Sequence, residues 1–143
     1  MSEPAPAILM IGGTGLVGQG VIANAGPHRM TLLGRRLPEL PDPGHPSAAA
    51  PPENWPEVVR MKAPGTFISC LGTTIRQAGS QEAFRAVDHD MVLAAARAAK
   101  EAGARHMIVV SSVGASAGSS NFYLRTKGEV EDALGTLGFE RLD

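Results

Sequence analysis

Cysteine, aromatic residues and charge of one sign are all scarce in this chain, and each scarcity excludes something. The one cysteine, Cys70, leaves no intrachain disulfide and no multi-cysteine metal site. Aromatic residues make up 4% of the sequence, so a core of aliphatic and small side chains is expected, and the 17 glycines suit tight turns and close backbone contacts. Lys and Arg total 13 against 14 Asp and Glu. A net charge of −1 carries no electrostatic footprint for nucleic acid or an anionic membrane. The apolar run at residues 7–11 is far too short to span a bilayer, and it lacks the charged leader of a secretory signal. A cytoplasmic location is the expectation that follows. The four histidines, His28, His45, His89 and His106, show no mutual spacing suited to a metal and read as loop, helix-surface and strand-start residues.

What remains is a chain of 143 residues, enough for one domain with a real core. Residues 7–11 are a continuous apolar run, the pattern of a strand buried on both faces of a parallel sheet. Glycines follow at once, then residues 19–25 can continue a helix stopped by Gly26-Pro27, and residues 29–34 read as a second strand. Strand, glycine turn, helix, strand is a βαβ unit.

Residues 37–56 hold seven of the 11 prolines and read mostly as an irregular surface loop, with Trp55 anchoring it on the body. A parallel crossover needs a dozen or so residues, so residues 55–61 suit a short crossover helix better than a strand. The third strand then falls, weakly, around residues 47–50. Residues 66–71 form a buried strand that Cys70 helps to close as a packed thiol. A long alanine-rich helix is predicted over residues 81–102, with Ser80 as N-cap and Gly103 just past its end. Residues 106–110 read as the fifth strand, 111–121 as a small-residue loop and 122–134 as a helix. Residues 138–143 approach a sixth strand. The expected architecture is α/β: a three-layer, doubly wound parallel sheet of Rossmann type, truncated after about the start of that strand.

Gly12-x-x-Gly15-x-x-Gly18 sits between the first strand and its helix. The first glycine permits the tight turn, the second lets the backbone approach a pyrophosphate, and the third packs the helix on the sheet. Gly12, Gly13, Thr14, Gly15, Leu16, Val17 and Gly18 are therefore candidate cofactor-binding residues. An acid about 20 residues further on would bind the ribose 2′-hydroxyl of NAD. Here the second strand ends Gly34-Arg35-Arg36. Arginine suits a 2′-phosphate, so NADP is preferred over NAD. Tyr123, the single tyrosine, precedes Lys127 by four residues, on one helix face. A lysine ammonium near a phenol favours the phenolate, which makes tyrosine a usable general acid/base. Ser111 and Ser112 stand at the carboxyl end of the fifth strand, where open α/β sheets bind ligands.

Together these residues resemble the short-chain dehydrogenase/reductases. More narrowly, the chain is similar to the atypical branch that includes the Tat-interacting tumour-suppressor oxidoreductase and small bacterial NAD(P)-binding proteins. The likeness lies in Cys70-Leu71-Gly72-Thr73-Thr74, Phe84-Arg85-Ala86-Val87-Asp88, Val110-Ser111-Ser112-Val113-Gly114-Ala115, Ser119-Ser120-Asn121-Phe122 and Tyr123 through Glu131. The resemblance implies an NADP-dependent oxidoreductase that moves hydride between NADPH and a carbonyl compound. It makes Tyr123 the general acid/base and has Lys127 hold the nicotinamide ribose. Ser112, with Ser111 as the alternative, would orient the substrate oxygen. Leu71, Gly72 and Thr73 would line the cofactor. A non-catalytic NADPH-binding interaction protein, or a fragment with little activity, is the rival reading. Many superfamily members carry an asparagine where Asp88 stands, which puts the proton relay in doubt. Relatives of this kind run several tens of residues further, so the substrate part is expected to be missing. The last full strand would then expose an edge able to form a homodimer. A small-molecule substrate is implied, with no nucleic acid, membrane or metal.

Overall fold

The computed structural model describes residues 7–40 and 42–143; residues 1–6 of the expected domain and Pro41 of the proline-rich loop lie outside the described residues. Six strands are present: β1 (Ile8–Ile11), β2 (Met30–Gly34), β3 (Ser47–Ala49), β4 (Thr66–Ser69), β5 (His106–Val109) and β6 (Arg141–Leu142). They form one sheet in the order β3-β2-β1-β4-β5-β6, with every neighbouring pair parallel. This is the doubly wound α/β order, and its direction reverses between β1 and β4. The weak third strand expected near residues 47–50 is there, pairing Leu32 with Ser47 and Gly34 with Ala49. The expectation of an open edge on the last full strand is corrected: β6 pairs with β5, His106 with Arg141 and Met107 with Leu142.

Continuous apolar runs serve two cores at once, because side chains alternate faces along a strand. Leu9, Ile11, Leu33 and Phe67 feed one face, together with Trp55 and Val59. Met10, Met30, Ile68 and Cys70 feed the other. Cys70 is buried against Met10, its Sγ 3.7 Å from the methionine sulfur. The second face is packed by Val21 and Ile22 of helix α1 (Leu16–Ala23). The first is covered by α2 (Trp55–Lys62), by the third of the helices between β4 and β5 and by the last helix of the chain. Those between β4 and β5 are α3 (Ile75–Ala78), α4 (Gln81–Arg85) and α5 (Val92–Glu101), and the last is α6 (Phe122–Gly135). Ala95, Ala96, Ala98 and Ala99 of α5 are fully buried, so small side chains bring α5 close to its neighbours. No helix among the described residues is long and apolar enough to cross a membrane.

Three helix boundaries depart from the sequence expectation. α1 begins at Leu16, three residues before the expected start, because Gly15 already serves as its extended N-cap. α3 is a single short turn capped by Thr74, whose hydroxyl accepts the Gln77 amide at 3.0 Å. The long helix over residues 81–102 is interrupted. Its Ser80 cap holds, with Oγ accepting the Ala83 amide at 3.0 Å, and Gly103 ends it in the left-handed region at φ +103°. Between α4 and α5, however, Ala86–Met91 winds as a π-helix. Such widened turns insert an extra residue per turn and re-aim the side chains they carry.

Trp55 anchors the proline-rich segment as expected, buried, with its indole N–H donating to the Ala50 carbonyl at 2.9 Å. His45 lies on a loop, as read from the sequence, and its side chain is buried. Its Nδ1 accepts the Met30 amide at 3.1 Å and ties the loop to the start of β2.

Candidate functional site

The glycine turn is built by contacts that tolerate no side chain. Gly12 has φ +81°, a conformation L-residues rarely adopt, and a Cβ there would lie 2.3 Å from the Leu71 amide nitrogen. A Cβ on Gly18 would lie 2.2 Å from the Gly12 carbonyl oxygen. Gly12 therefore lets the β1 turn press on the end of β4, and Gly18 lets α1 press on the turn. At Gly15 the nearest atom to such a Cβ is 3.8 Å away. Gly15 caps α1 without any side-chain hydrogen bond, so the first-turn amides are left free to receive an anion. The Gln19 side chain donates to the Thr14 carbonyl at 2.7 Å and fixes the turn from the helix side.

A cleft of about 670 Å³ opens beside this turn. Its wall includes Gly12, Gly13 and Thr14, continues through Arg35 and Arg36 at the end of β2, and takes in Leu71 from the end of β4. These six predicted cofactor residues are thus brought to one cavity. Gly15, Leu16, Val17 and Gly18 form the turn and helix start without lining it, and Leu16 and Val17 are exposed. Among the wall residues that sequence reasoning did not single out are Trp55 and Asp42. Asp42 lies eight residues past Gly34, on the loop that carries the chain from β2 to β3, and its Oδ1 accepts the Gly44 amide at 2.8 Å. The signal available was the short length of that connection, which forces it to pass over the end of β2.

The other predicted group gathers on α6. Asn121 caps this helix by accepting the Leu124 amide at 3.0 Å. Tyr123 packs its ring on Phe84 of α4, with centroids 5.3 Å apart. The Lys127 ammonium lies 5.7 Å from the Tyr123 ring centre. That ammonium is buried and paired at 2.8 Å with Oδ2 of Asp88, which is fully buried in the π-helical stretch. The other carboxylate oxygen of Asp88 accepts the Thr73 amide at 3.0 Å. Both charged groups sit against Gly72, where a Cβ would be 3.9 Å from each. Burial pushes the Asp88 carboxyl above the usual carboxylate range, against the opposing pull of Lys127 and the Thr73 amide. The Leu71-Gly72-Thr73 segment therefore runs from the cleft wall to the Asp88–Lys127 pair.

Ser112 and Ser111 sit at the end of β5. The Ser112 hydroxyl turns to the Val113 carbonyl at 3.4 Å, while Ser111 Oγ is buried without a hydrogen-bond partner. Neither makes a hydrogen bond to Tyr123 or Lys127 among the described residues. Their loop is nonetheless locked to α6. The Ser116 amide donates to the Leu124 carbonyl at 3.1 Å, and a Cβ on Gly128 would lie 2.3 Å from the Ala117 nitrogen. One face-side neighbour of the site is also paired: Arg85 holds Glu129 at 2.5 Å and keeps that carboxyl below its ordinary range.

No protein-family model matches the chain. A protein of Scheffersomyces stipitis named FMP52-2, mitochondrial, is 36% identical over 144 residues, which cover 96% of this chain and 63% of that protein. FMP52, mitochondrial, of Coccidioides immitis is 38% identical over 149 residues, covering 92% of this chain and 61% of that protein. The chain spans about three fifths of the length of these curated relatives. Their names overturn the expectation of a cytoplasmic location. Among solved structures, the Bordetella bronchiseptica enzyme WbmH, in complex with NAD+, superposes with a TM-score of 0.76 at 11% identity, over 95% of this chain and 54% of that one. A Bacillus anthracis dTDP-4-dehydrorhamnose reductase, in complex with NADP, superposes with a TM-score of 0.68 at 14% identity, over 99% of this chain and 54% of that one. At these identities the likeness is one of fold, and it agrees with the strand order: the chain has a Rossmann-like α/β architecture.

Proposed function

We propose that this chain is the nucleotide-binding and proton-transferring part of a short-chain-type oxidoreductase that works between NADPH and a carbonyl compound. The observation that carries the reading is the glycine cradle. Gly12 and Gly18 draw strand, turn and helix together, Gly15 leaves the α1 amides free, and the adjoining cleft ends on Arg35 and Arg36. Free amides and a helix N-terminus suit a pyrophosphate. Two guanidiniums suit a 2′-phosphate, which favours NADPH, while Asp42 in the same wall is the group that would favour NADH. Neighbours of the same fold in complex with NAD, and one in complex with NADP, support a nicotinamide dinucleotide in the cleft.

When bound, the nicotinamide supplies or accepts the hydride. Tyr123 delivers the proton to the substrate oxygen, and Ser112 orients that oxygen after its hydroxyl leaves the Val113 carbonyl. Lys127 holds the ribose with the ammonium donors not taken by Asp88. The residues shared with the atypical branch, from Cys70 through Glu131, support placing the chain there. The relatives' names support a mitochondrial compartment.

A cofactor-binding module without turnover is the second reading. The observation in its favour is the Ser112 hydroxyl, which faces its own backbone rather than Tyr123. Calorimetric titration with NADPH and NADH tests the shared part of both readings, and absence of binding by either nucleotide refutes both. A carbonyl panel with wild type and Tyr123→Phe then separates them. The oxidoreductase reading expects NADPH consumption to be lost with binding intact. Consumption unchanged by the substitution removes Tyr123 from the mechanism.

A further inference from the structure

We propose that Asp88 is a positioning residue that sets the charge Tyr123 experiences, by clamping the Lys127 ammonium and the Gly72–Thr73 turn in one frame. The proposal rests on the oxidoreductase reading for its purpose, but its geometry stands independently. The two oxygens of Asp88 divide their work: Oδ1 receives the Thr73 amide at 3.0 Å and Oδ2 faces Lys127 Nζ at 2.8 Å. Both side chains are buried, so solvent screens the pair little. The π-helical winding of Ala86–Met91 falls where Asp88 sits, and a regular α-helix would turn this residue to another azimuth.

The consequence is electrostatic. A lone ammonium 5.7 Å from the Tyr123 ring would strongly favour the phenolate. Paired with a carboxylate, the same ammonium presents a dipole, and its pull on Tyr123 is damped. Of the other charged groups on the packed elements, Glu82, Glu131 and Asp132 are exposed to solvent, and those nearer the pair have other partners. Arg85 pairs with Glu129, His89 with Asp90 at 2.7 Å, and Arg125 with the Phe122 ring and the Ser119 carbonyl. Asp88 is thus the group on the neighbouring elements that compensates Lys127. It lets the lysine stay fixed beside the cofactor-lining turn as one half of an ion pair rather than as a lone charge.

Tyr123 is the single tyrosine, so the ultraviolet absorbance of tyrosinate reports it alone, with neither substrate nor cofactor present. In Asp88→Asn the midpoint of that absorbance change should fall by about one pH unit, a tenfold rise in the acid constant. In Lys127→Met it should rise above wild type. In the double variant it should return close to wild type, because a neutral pair replaces a compensated one. A folded Asp88→Asn protein with the wild-type midpoint overturns the proposal. If Asp88→Asn does not fold, Lys127→Met and the double variant decide: equal midpoints overturn it, and a higher midpoint in Lys127→Met supports it. An NADPH titration of wild type alongside separates the two levels. Failure to bind refutes the oxidoreductase reading and leaves the absorbance result to judge Asp88.

Discussion

Gly18 and Gly20 lie on the same helix, two residues apart, and alanine at each should have opposite effects. Replacing glycine by alanine inside a helix ordinarily stabilises it by about 1 kcal/mol, through backbone entropy and propensity. At Gly20 nothing lies within 4 Å of the new Cβ and the site is exposed, so Gly20→Ala should gain close to that amount. At Gly18 the new Cβ would meet the Gly12 oxygen at 2.2 Å and the Gly13 Cα at 2.8 Å. Both are backbone atoms, so no side chain can swing aside. Overpacking of this kind costs about 1–3 kcal/mol. The propensity gain is common to both variants and cancels in their difference, which should therefore be about 1–3 kcal/mol in favour of Gly20→Ala. Urea unfolding of the two proteins, compared at equal slope, reads that difference directly. If Gly18→Ala is as stable as Gly20→Ala, the turn does not press on α1 and the cradle described here is wrong. Nucleotide titration of the same pair adds a second readout, since the α1 amides should be displaced in Gly18→Ala alone.

Three further outcomes are expected. The double variant Arg35→Ala, Arg36→Ala should weaken NADPH binding by about tenfold to a hundredfold, the worth of charge-assisted hydrogen bonds to a phosphate, and leave NADH nearly unchanged; equal losses for both nucleotides would remove the 2′-phosphate role. Asn121→Ala removes the α6 cap and should destabilise by about 1 kcal/mol in urea unfolding, with no loss showing that the cap is not formed in solution. The raised Asp88 carboxyl takes up a proton more readily in the folded than in the unfolded chain. Its contribution to stability is therefore greatest below the unfolded value of about 3.9 and declines as pH rises toward the folded one. The stability advantage of wild type over Asp88→Asn should shrink across that interval, and a pH-independent gap would show that Asp88 does not titrate as a buried acid.

Much of this architecture was legible because it is written in local pattern. Residues 7–11 are apolar without alternation, the pattern of a strand buried on both faces of a parallel sheet, and residues 66–71 are mostly so. The crossover helix at Trp55–Lys62 followed from chain length alone, and the caps at Ser80 and Gly103 from residue type. The glycine cradle was readable for the same reason, since Gly12 and Gly18 answer to steric requirements of the turn. The π-helical stretch was not, because no periodicity distinguishes one widened turn from the α-helix around it. Nor was the Asp88–Lys127 pair, which joins two elements distant in sequence and depends on that turn. The burial of His45 was not legible either, because a loop position says nothing about whether the loop folds inward. Asp42 escaped because its approach to the cleft is set by how a proline-rich segment closes over the sheet.

The contact between Gly128 and the Ser116–Ala117 backbone has a bearing on how this protein can change over time. Where two backbones touch without intervening side chains, no compensating substitution nearby can relieve an added methyl group. The helix bearing Tyr123 and Lys127 and the loop bearing Ser112 are therefore inherited as one piece. Variation that alters the reaction has to enter through residues around that joint. In a library scored for folding, the positions that admit fewest alternatives should be Gly12, Gly18 and Gly128, more restricted than the polar residues whose chemistry they hold in place.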